Sequence, residues 1–243
     1  MINFAEIRAL LVSPDSAMAS LFSEVFDEIG VATCSCANEG QAAEALSDSK
    51  FEALVLDFDN LSPAVPFIRS VRESSSSRDA IVFAVATEMA ARQRAFADGA
   101  NFAFERPFLV PQIKQALQTA YSLMLRDRRR YFRCPIECPI KLTRKDGFDV
   151  EGTTINISGR GAAVKIPAPL EAGELLSLSF KVPEADLSVD AFGSVVWDDK
   201  HGKAGITFEC TSFDVGHRLA AWLDAQFYRQ LRSATGSPPT RPV

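Results

Sequence analysis

The chain has 243 residues, enough for one large domain or two of ordinary size, and its 47% apolar against 23% charged composition lets either arrangement build hydrophobic cores. No apolar run approaches the roughly 20 residues needed to span a bilayer, and the opening Met1-Ile2-Asn3-Phe4-Ala5-Glu6 lacks the basic start of a secretory leader, so a cytoplasmic location is expected. The net charge of −5 is unevenly divided: residues 1–122 carry nine basic and sixteen acidic side chains, residues 123–243 seventeen and fifteen.

The first half alternates between buried strands and amphipathic helices. Ala9-Leu10-Leu11-Val12 is a short apolar run closed by Ser13-Pro14-Asp15, and helical spacing follows from Met18 to Ile29. Val31–Cys34 returns to strand character, and Glu39–Leu46 is again helical. Ala53-Leu54-Val55-Leu56-Asp57 is a fully apolar strand ending on an acid, Ile81–Thr87 is another, and Phe102-Ala103-Phe104 is a short fifth. An amphipathic helix then runs from Val110 to about Leu125, with apolar positions at Ile113, Leu117, Ala120, Tyr121 and Met124, and with no Gly or Pro break it is expected to continue into Arg126 and the arginines that follow. Strands separated by helices predict a doubly wound (βα)5 parallel sheet covered on both faces, with any ligand at the carboxyl ends of the strands. Asp15, Asp57, Thr87 and Arg106 lie at those ends.

Over about residues 5–122 this order resembles the receiver domain of bacterial response regulators. The resemblance makes Asp57 the possible phosphoacceptor, with Thr87 and Arg106-Pro107-Phe108 at the family's other signature positions. The departures point to a pseudo-receiver. The paired acids that hold Mg²⁺ in the family fall here on Ser13 and Pro14, Asp15 is one residue late, the lysine is Arg106, and the switch aromatic is Ala103. Phosphoryl transfer to an aspartate needs a divalent ion to neutralise the moving group, and Mg²⁺ needs well-placed carboxylates. Mg²⁺ is therefore expected only if the receiver is active. Otherwise the domain serves as a docking surface or a homodimer interface.

From Pro135 the apolar period switches from helical to alternating. About six short strands separated by Gly, Asp and Pro predict a six-stranded antiparallel β-barrel, followed by a helix from about Asp214 to Leu231 with Leu219, Trp222, Leu223, Gln226 and Phe227 on one face. The expected domains are 1–122, 123–232 and a disordered tail over 233–243. Trp197 is expected in the core rather than as a ligand platform. Cys134 and Cys138 are four apart, but the histidines His201 and His217 are far away in sequence and the five cysteines form no framework. Buried or partly exposed thiols are expected, with no metal.

Five arginines fall within eight positions: Arg126, Arg128, Arg129, Arg130 and Arg133. Alone, such a run reads as a solvated face or a patch for nucleic acid or anionic lipid. It is followed, however, by Asn156-Ile157-Ser158-Gly159-Arg160-Gly161. Arg-x-x-x-Arg (Arg129 to Arg133) and Asn-x-Ser-x-x-Gly, in that order at the start of a barrel, are similar to the two signature motifs of the PilZ family over about residues 126–230. That resemblance implies a non-enzymatic receptor for cyclic di-GMP, with Arg128, Arg129, Arg133, Asn156, Ser158 and Gly161 as ligand-binding residues and a downstream protein as further partner. Arginine suits the ligand because its fork donates to phosphate or to guanine O6/N7 and its plane stacks on a base. Neither nucleic acid nor a membrane span is expected. Binding is expected to reorient the two halves. The alternatives are a phosphorylation-controlled regulator acting through Asp57, or an interaction module that binds no nucleotide. No Gly-x-Ser-x-Gly elbow, P-loop or metal-spaced histidine cluster points to an enzyme.

Overall fold

The computed structural model describes residues 5–61, 64–74, 76–183 and 185–235, and the chain divides into two compact units, Ala5–Tyr131 and Phe132–Ser233.

In the N-terminal unit, strands β1 (Arg8–Val12), β2 (Ala32–Cys36), β3 (Ala53–Asp57), β4 (Ile81–Val85) and β5 (Phe102–Phe104) form a parallel sheet in the order β2-β1-β3-β4-β5. Helices α1 (Ser16–Asp27), α2 (Glu39–Asp48), α3 (Ala64–Glu73), α4 (Met89–Ala97) and α5 (Val110–Arg130) connect the strands and follow the last. Every residue of β3 and β4 is buried, as two-sided coverage requires. Successive side chains point to opposite faces. Leu11, Val55 and Phe83 accordingly pack with Phe22 and Phe26 of α1 and Ile113 and Leu117 of α5. Leu10, Leu54, Leu56 and Val82 pack with Ala42, Ile68 and Ala95 from the other three helices. The strand order reverses direction between β1 and β3, and such switch points place their carboxyl ends side by side.

α5 runs past its last apolar position, as the lack of a Gly or Pro break predicts. It passes position 122 without a break and continues to Arg130, burying Ile113, Leu117, Ala120, Met124 and then Asp127. The extra turn is polar in sequence, and what extends it is tertiary: Asp127 accepts a hydrogen bond from Lys50 Nζ at 2.5 Å, and Arg128 lies 3.5 Å from Glu52. Propensity permits this, since arginine is a good helix former and no Gly or Pro intervenes.

The C-terminal unit contains β6 (Cys134–Pro135), β7 (Pro139–Arg144), β8 (Asp149–Ser158), β9 (Gly161–Lys165), β10 (Leu175–Val182), β11 (Leu187–Asp198), β12 (Lys203–Cys210) and α6 (Phe213–Thr235). Six strands in the order β8-β7-β10-β11-β12-β9 are closed by the β8–β9 pairing, all antiparallel, and the two-residue β6 adds to β8. Closure removes the exposed edges that an open sheet would present. Alternate residues such as Leu142, Val150, Ile157, Leu178, Phe180, Ile206 and Phe208 fill the interior. α6 buries Leu219, Leu223, Phe227 and Leu231, four residues apart, and the Phe227 ring meets the edge of Phe132 at 5.3 Å between centroids. The helix takes in Ser233–Thr235, which the sequence reading assigned to the tail; residues 236–243 lie outside the described residues.

Truncating the fully buried Phe227 to alanine removes this anchor and leaves a cavity. Phe227→Ala is expected to cost roughly 3–5 kcal/mol in urea unfolding; a loss well under 1 kcal/mol would mean that α6 is not part of the barrel's core.

Candidate ligand-binding site

The second sequence motif is built by the barrel's strand pairing. β6 runs antiparallel to β8 with Cys134 opposite Ile157 and Pro135 opposite Asn156, so Arg133, one residue before β6, falls level with Ser158. Its Nη1 lies 3.3 Å from Ser158 Oγ, and that hydroxyl donates to the carbonyl of Gly161 at 3.0 Å. Twenty-five residues of chain are thus closed by a two-residue ladder. Gly161 opens β9 at a point where a Cβ would lie 2.5 Å from the carbonyl oxygen of Ile206 in β12. What excludes a side chain here is the neighbouring strand.

Two irregularities aim the other side chains. The β8–β9 register shifts between Thr154 and Asn156, and the β11–β12 register shifts between Val195 and Trp197. Bulges of this kind re-aim the side chains that follow them. After the shifts, the ladder runs Asn156–Ala163–Gly205–Trp197 across four strands. Trp197 is not a core residue, contrary to expectation. It is 44% exposed, and its indole lies so close over Gly205 that a Cβ there would come within 2.1 Å of Nε1. The next row on the same face, Ser158–Gly161–Thr207–Ser194, is also made of small residues. The result is a shallow floor of glycine, alanine and hydroxyls with an aromatic plane at one end. At the other end is Asn156, whose Oδ1 is buried with no hydrogen-bond partner among the described residues. An orphaned acceptor of this kind signals an absent partner.

Arg128 and Arg129 stand apart from these residues in the structure's division: they end α5 in the N-terminal unit. Arg128 pairs there with Glu52, just before β3, and Glu52 is fully buried. Glu52 Oε2 accepts from the backbone N–H of Arg8 at 2.9 Å, while Lys50 Nζ lies 3.8 Å from Oε1 and sits over the Tyr131 ring at 4.0 Å. Burial outweighs these attractions. It pushes the Glu52 carboxyl up from its usual 4.5 to about 7, against the lowering pull of Arg128, the Arg8 N–H and Lys50, and with a further push from Asp127. Neither Glu52 nor its network was singled out from sequence; the one available signal is an acid at the entrance of an otherwise apolar strand.

At the carboxyl ends of β1 and β3, Asp57 is fully buried and its lone pairs are taken. Ser13 Oγ donates to it at 2.6 Å, Asn60 Nδ2 at 2.9 Å, and the Arg106 guanidinium at 3.0 and 3.3 Å. Burial alone would raise its pKa, but the hydrogen bonds from Arg106, Ser13 and Asn60 outweigh burial and hold it below the ordinary carboxylate range. Asp15 caps α1 by accepting from the Ala17 and Met18 N–H groups, and its other oxygen lies 3.5 Å from Arg106. Asp59, which sequence reading passed over, accepts from Arg106 at 2.7 Å and from the Thr87 hydroxyl at 2.8 Å. A guanidinium already stands among the three carboxylates, where a divalent ion would have to sit. This donor set does not fit Mg²⁺ without displacing Arg106.

Cys134 and Cys138 are buried free thiols, the first pushed up to about 11 by burial, and among the described residues no group of His, Cys, Asp or Glu is placed to hold a metal ion. Among the described residues, no helix is long and apolar enough to cross a membrane.

Strand order 2-1-3-4-5 with helices on both faces is the doubly wound order of the receiver fold. Solved structures similar to this half include a chemotaxis response regulator of Vibrio cholerae (19% identity, 47% of this chain and 98% of that one, TM-score 0.43) and a CheY-like receiver domain from Methylobacillus flagellatus (20%, 47% and 98%, 0.43). A third is the receiver domain of a Pseudomonas aeruginosa sensor histidine kinase (17%, 48% and 98%, 0.43). Residues 127–225 match the family model "PilZ domain". The chain thus joins a doubly wound parallel-sheet unit to a closed barrel whose residues fall within the segment that matches the PilZ model. No protein of curated function matches it.

The buried carboxyl of Glu52 gives a pH signature. Its pKa is higher folded than unfolded, so between about 4.5 and 7 the folded state holds more protons and stability falls as pH rises through that window. A displacement of this size corresponds to roughly 3 kcal/mol. The unfolding free energy of the native chain is expected to decline from pH 5 to pH 8, and Glu52→Gln to flatten that decline. Identical slopes in the two proteins would contradict the burial of a titrating carboxyl at this position.

Proposed function

We propose that the chain is a cyclic di-GMP receptor whose ligand lies on the outer face of the PilZ barrel. The observation that carries this reading is the convergence of Arg133, Ser158 and Gly161 around one hydroxyl, beside the unpartnered Oδ1 of Asn156. In the reading, Arg133 donates to a guanine edge or phosphate, Asn156 and Ser158 meet the second base, and the glycine and alanine floor admits a flat ligand. The half-exposed Trp197 indole supplies a stacking surface that sequence analysis did not expect. The family motif assigns Arg129 to the same ligand. No chemical step is asked of these residues: the geometry offers donors and flat surfaces but no activated nucleophile.

The N-terminal unit is read as a receiver fold retained for its surface rather than for phosphoryl transfer, because every approach to Asp57 is hydrogen-bonded and Arg106 stands where a cation would sit. Incubation with acetyl phosphate and Mg²⁺ is expected to leave no acid-labile phosphate on the chain. Phosphate that appears, and is lost in Asp57→Asn, would reverse this part of the reading.

Titration calorimetry with cyclic di-GMP tests the main claim. Saturable binding at micromolar ligand is expected, and Arg133→Ala is expected to weaken it roughly 5- to 150-fold, the range for a bidentate arginine–guanine contact. No heat from the native chain at those concentrations would overturn the assignment.

A further inference from the structure

The outer face of the barrel also carries large apolar side chains that the candidate site does not use. Outward and buried positions alternate along β11, so Asp190, Phe192 and Ser194 share the outer face. Strand pairing sets Phe192 opposite Glu209 of β12 on one side and opposite Ser177 of β10 on the other, with Thr143 of β7 next in the row. Leu175 pairs with Ser194 and is therefore the diagonal neighbour of Phe192. Beyond β12 the chain enters α6, and Phe213 at its start packs on His217 one turn later, with ring centroids 4.3 Å apart. Leu175, Phe192 and Phe213 line one groove of about 1290 Å³, wholly within the C-terminal unit. Phe213 is 84% exposed there, Phe192 69% and Leu175 49%.

The groove exceeds the roughly 300–1,000 Å³ of a small-molecule pocket, and clustered apolar exposure of this kind marks contact with another macromolecule. The charges around it select among macromolecules. Lys145, Arg160 and Glu209 line the groove, and Asp190 precedes Phe192 on the same face. None of the four makes an ion pair among the described residues, whereas Arg144 is already neutralised by Glu174 at 2.9 Å. The two signs are thus in balance. Nucleic acid and anionic lipid call for a basic surface, and a partner of one sign would be repelled by half of these groups. A surface that carries both signs becomes complementary to itself when turned about a two-fold axis.

We propose that this groove is the interface of a homodimer, isologous about an axis that passes between Phe192 and Ser177. In the row Glu209–Phe192–Ser177–Thr143 the strands follow one another at about 4.8 Å. The axis therefore lays Phe192 of each copy on the small Ser177 of the other and carries Glu209 to the Thr143 end of the row. Lys145 stands two residues past Thr143, where it meets that carboxylate. The Phe213 ring joins the apolar contact from the start of α6. This interface lies on the barrel and is separate from any dimer made through the receiver fold. It adjoins the candidate dinucleotide floor at Ser194 and Thr207 but does not rest on the receptor reading.

Analytical ultracentrifugation of the full chain tests the proposal. The native chain is expected to sediment as a dimer at about 100 µM, where association of micromolar affinity is nearly complete. Phe192→Glu combined with Phe213→Glu changes two exposed positions, so circular dichroism is expected to stay native while self-association weakens at least about tenfold. A charge reversal reads the same interface with every apolar side chain in place: Lys145→Glu is expected to weaken the dimer, and Lys145→Glu with Glu209→Lys to restore it. A native chain that remains monomeric overturns the proposal and leaves the groove for a different protein. Association at native strength in the double phenylalanine variant also overturns it and assigns the dimer to another surface. No effect of Lys145→Glu, or a loss that Glu209→Lys does not repair, refutes the two-fold arrangement.

Discussion

The two hydrogen-bonded residue pairs between β6 and β8 are the constraint from which the candidate site follows. With Cys134 opposite Ile157 and Pro135 opposite Asn156, the chain entering the barrel has no freedom over where it delivers Arg133. Strand pairing converts a separation of 25 residues into a contact of 3.3 Å, and it does so through backbone groups that must be satisfied in any case. Slippage by one residue would turn Asn156 and Ser158 inward and Ile157 outward, so the register is held by the interior as well as by the ladder. The barrel's own packing then shapes the floor. Gly161 is small because β12 passes beneath it, and Gly205 because Trp197 lies across it.

The arginine run illustrates how one stretch of charge can answer to two environments. Arg133 belongs to the barrel, while Arg128 belongs to a buried network with Glu52, Lys50 and Asp127. A buried ion pair contributes little net stability once desolvation is counted, but its partners are expensive to separate. In the N-terminal unit the same electrostatics take a more static form. Arg106 is bound by Asp57 and Asp59 at once, Ser13 occupies a lone pair where the family resemblance would place a metal-binding acid, and Asp15 is spent on a helix cap. Three carboxylates that could look like a cation site by composition instead surround one guanidinium.

Much of this architecture was legible in the sequence, and the reasons differ by element. The apolar runs of β3 and β4 could only be strands covered on both faces, and the change to alternating periodicity after Pro135 announced the barrel, because burial geometry imposes those two periods directly. Asn156, Ser158, Gly161 and the arginines could be picked out because their residue types and spacing form motifs. The continuation of α5 was legible from the lack of a Gly or Pro break, but its charged partners were not: Lys50 and Glu52 lie more than seventy residues earlier. Trp197 misled for a similar reason. A tryptophan amid valines reads as core until a bulge at the preceding residue turns it outward.

Sequence alone therefore determined the two fold classes, the order of the domains and the residue types available to a ligand, since these follow from hydrophobic period and from short motifs read locally. Tertiary structure decided which of those residues meet. It set Arg133 against Ser158, gave Arg128 to Glu52 and surrounded Asp57 with donors. Each of these contacts joins segments far apart in the chain, and its strength depends on burial, which no local pattern encodes.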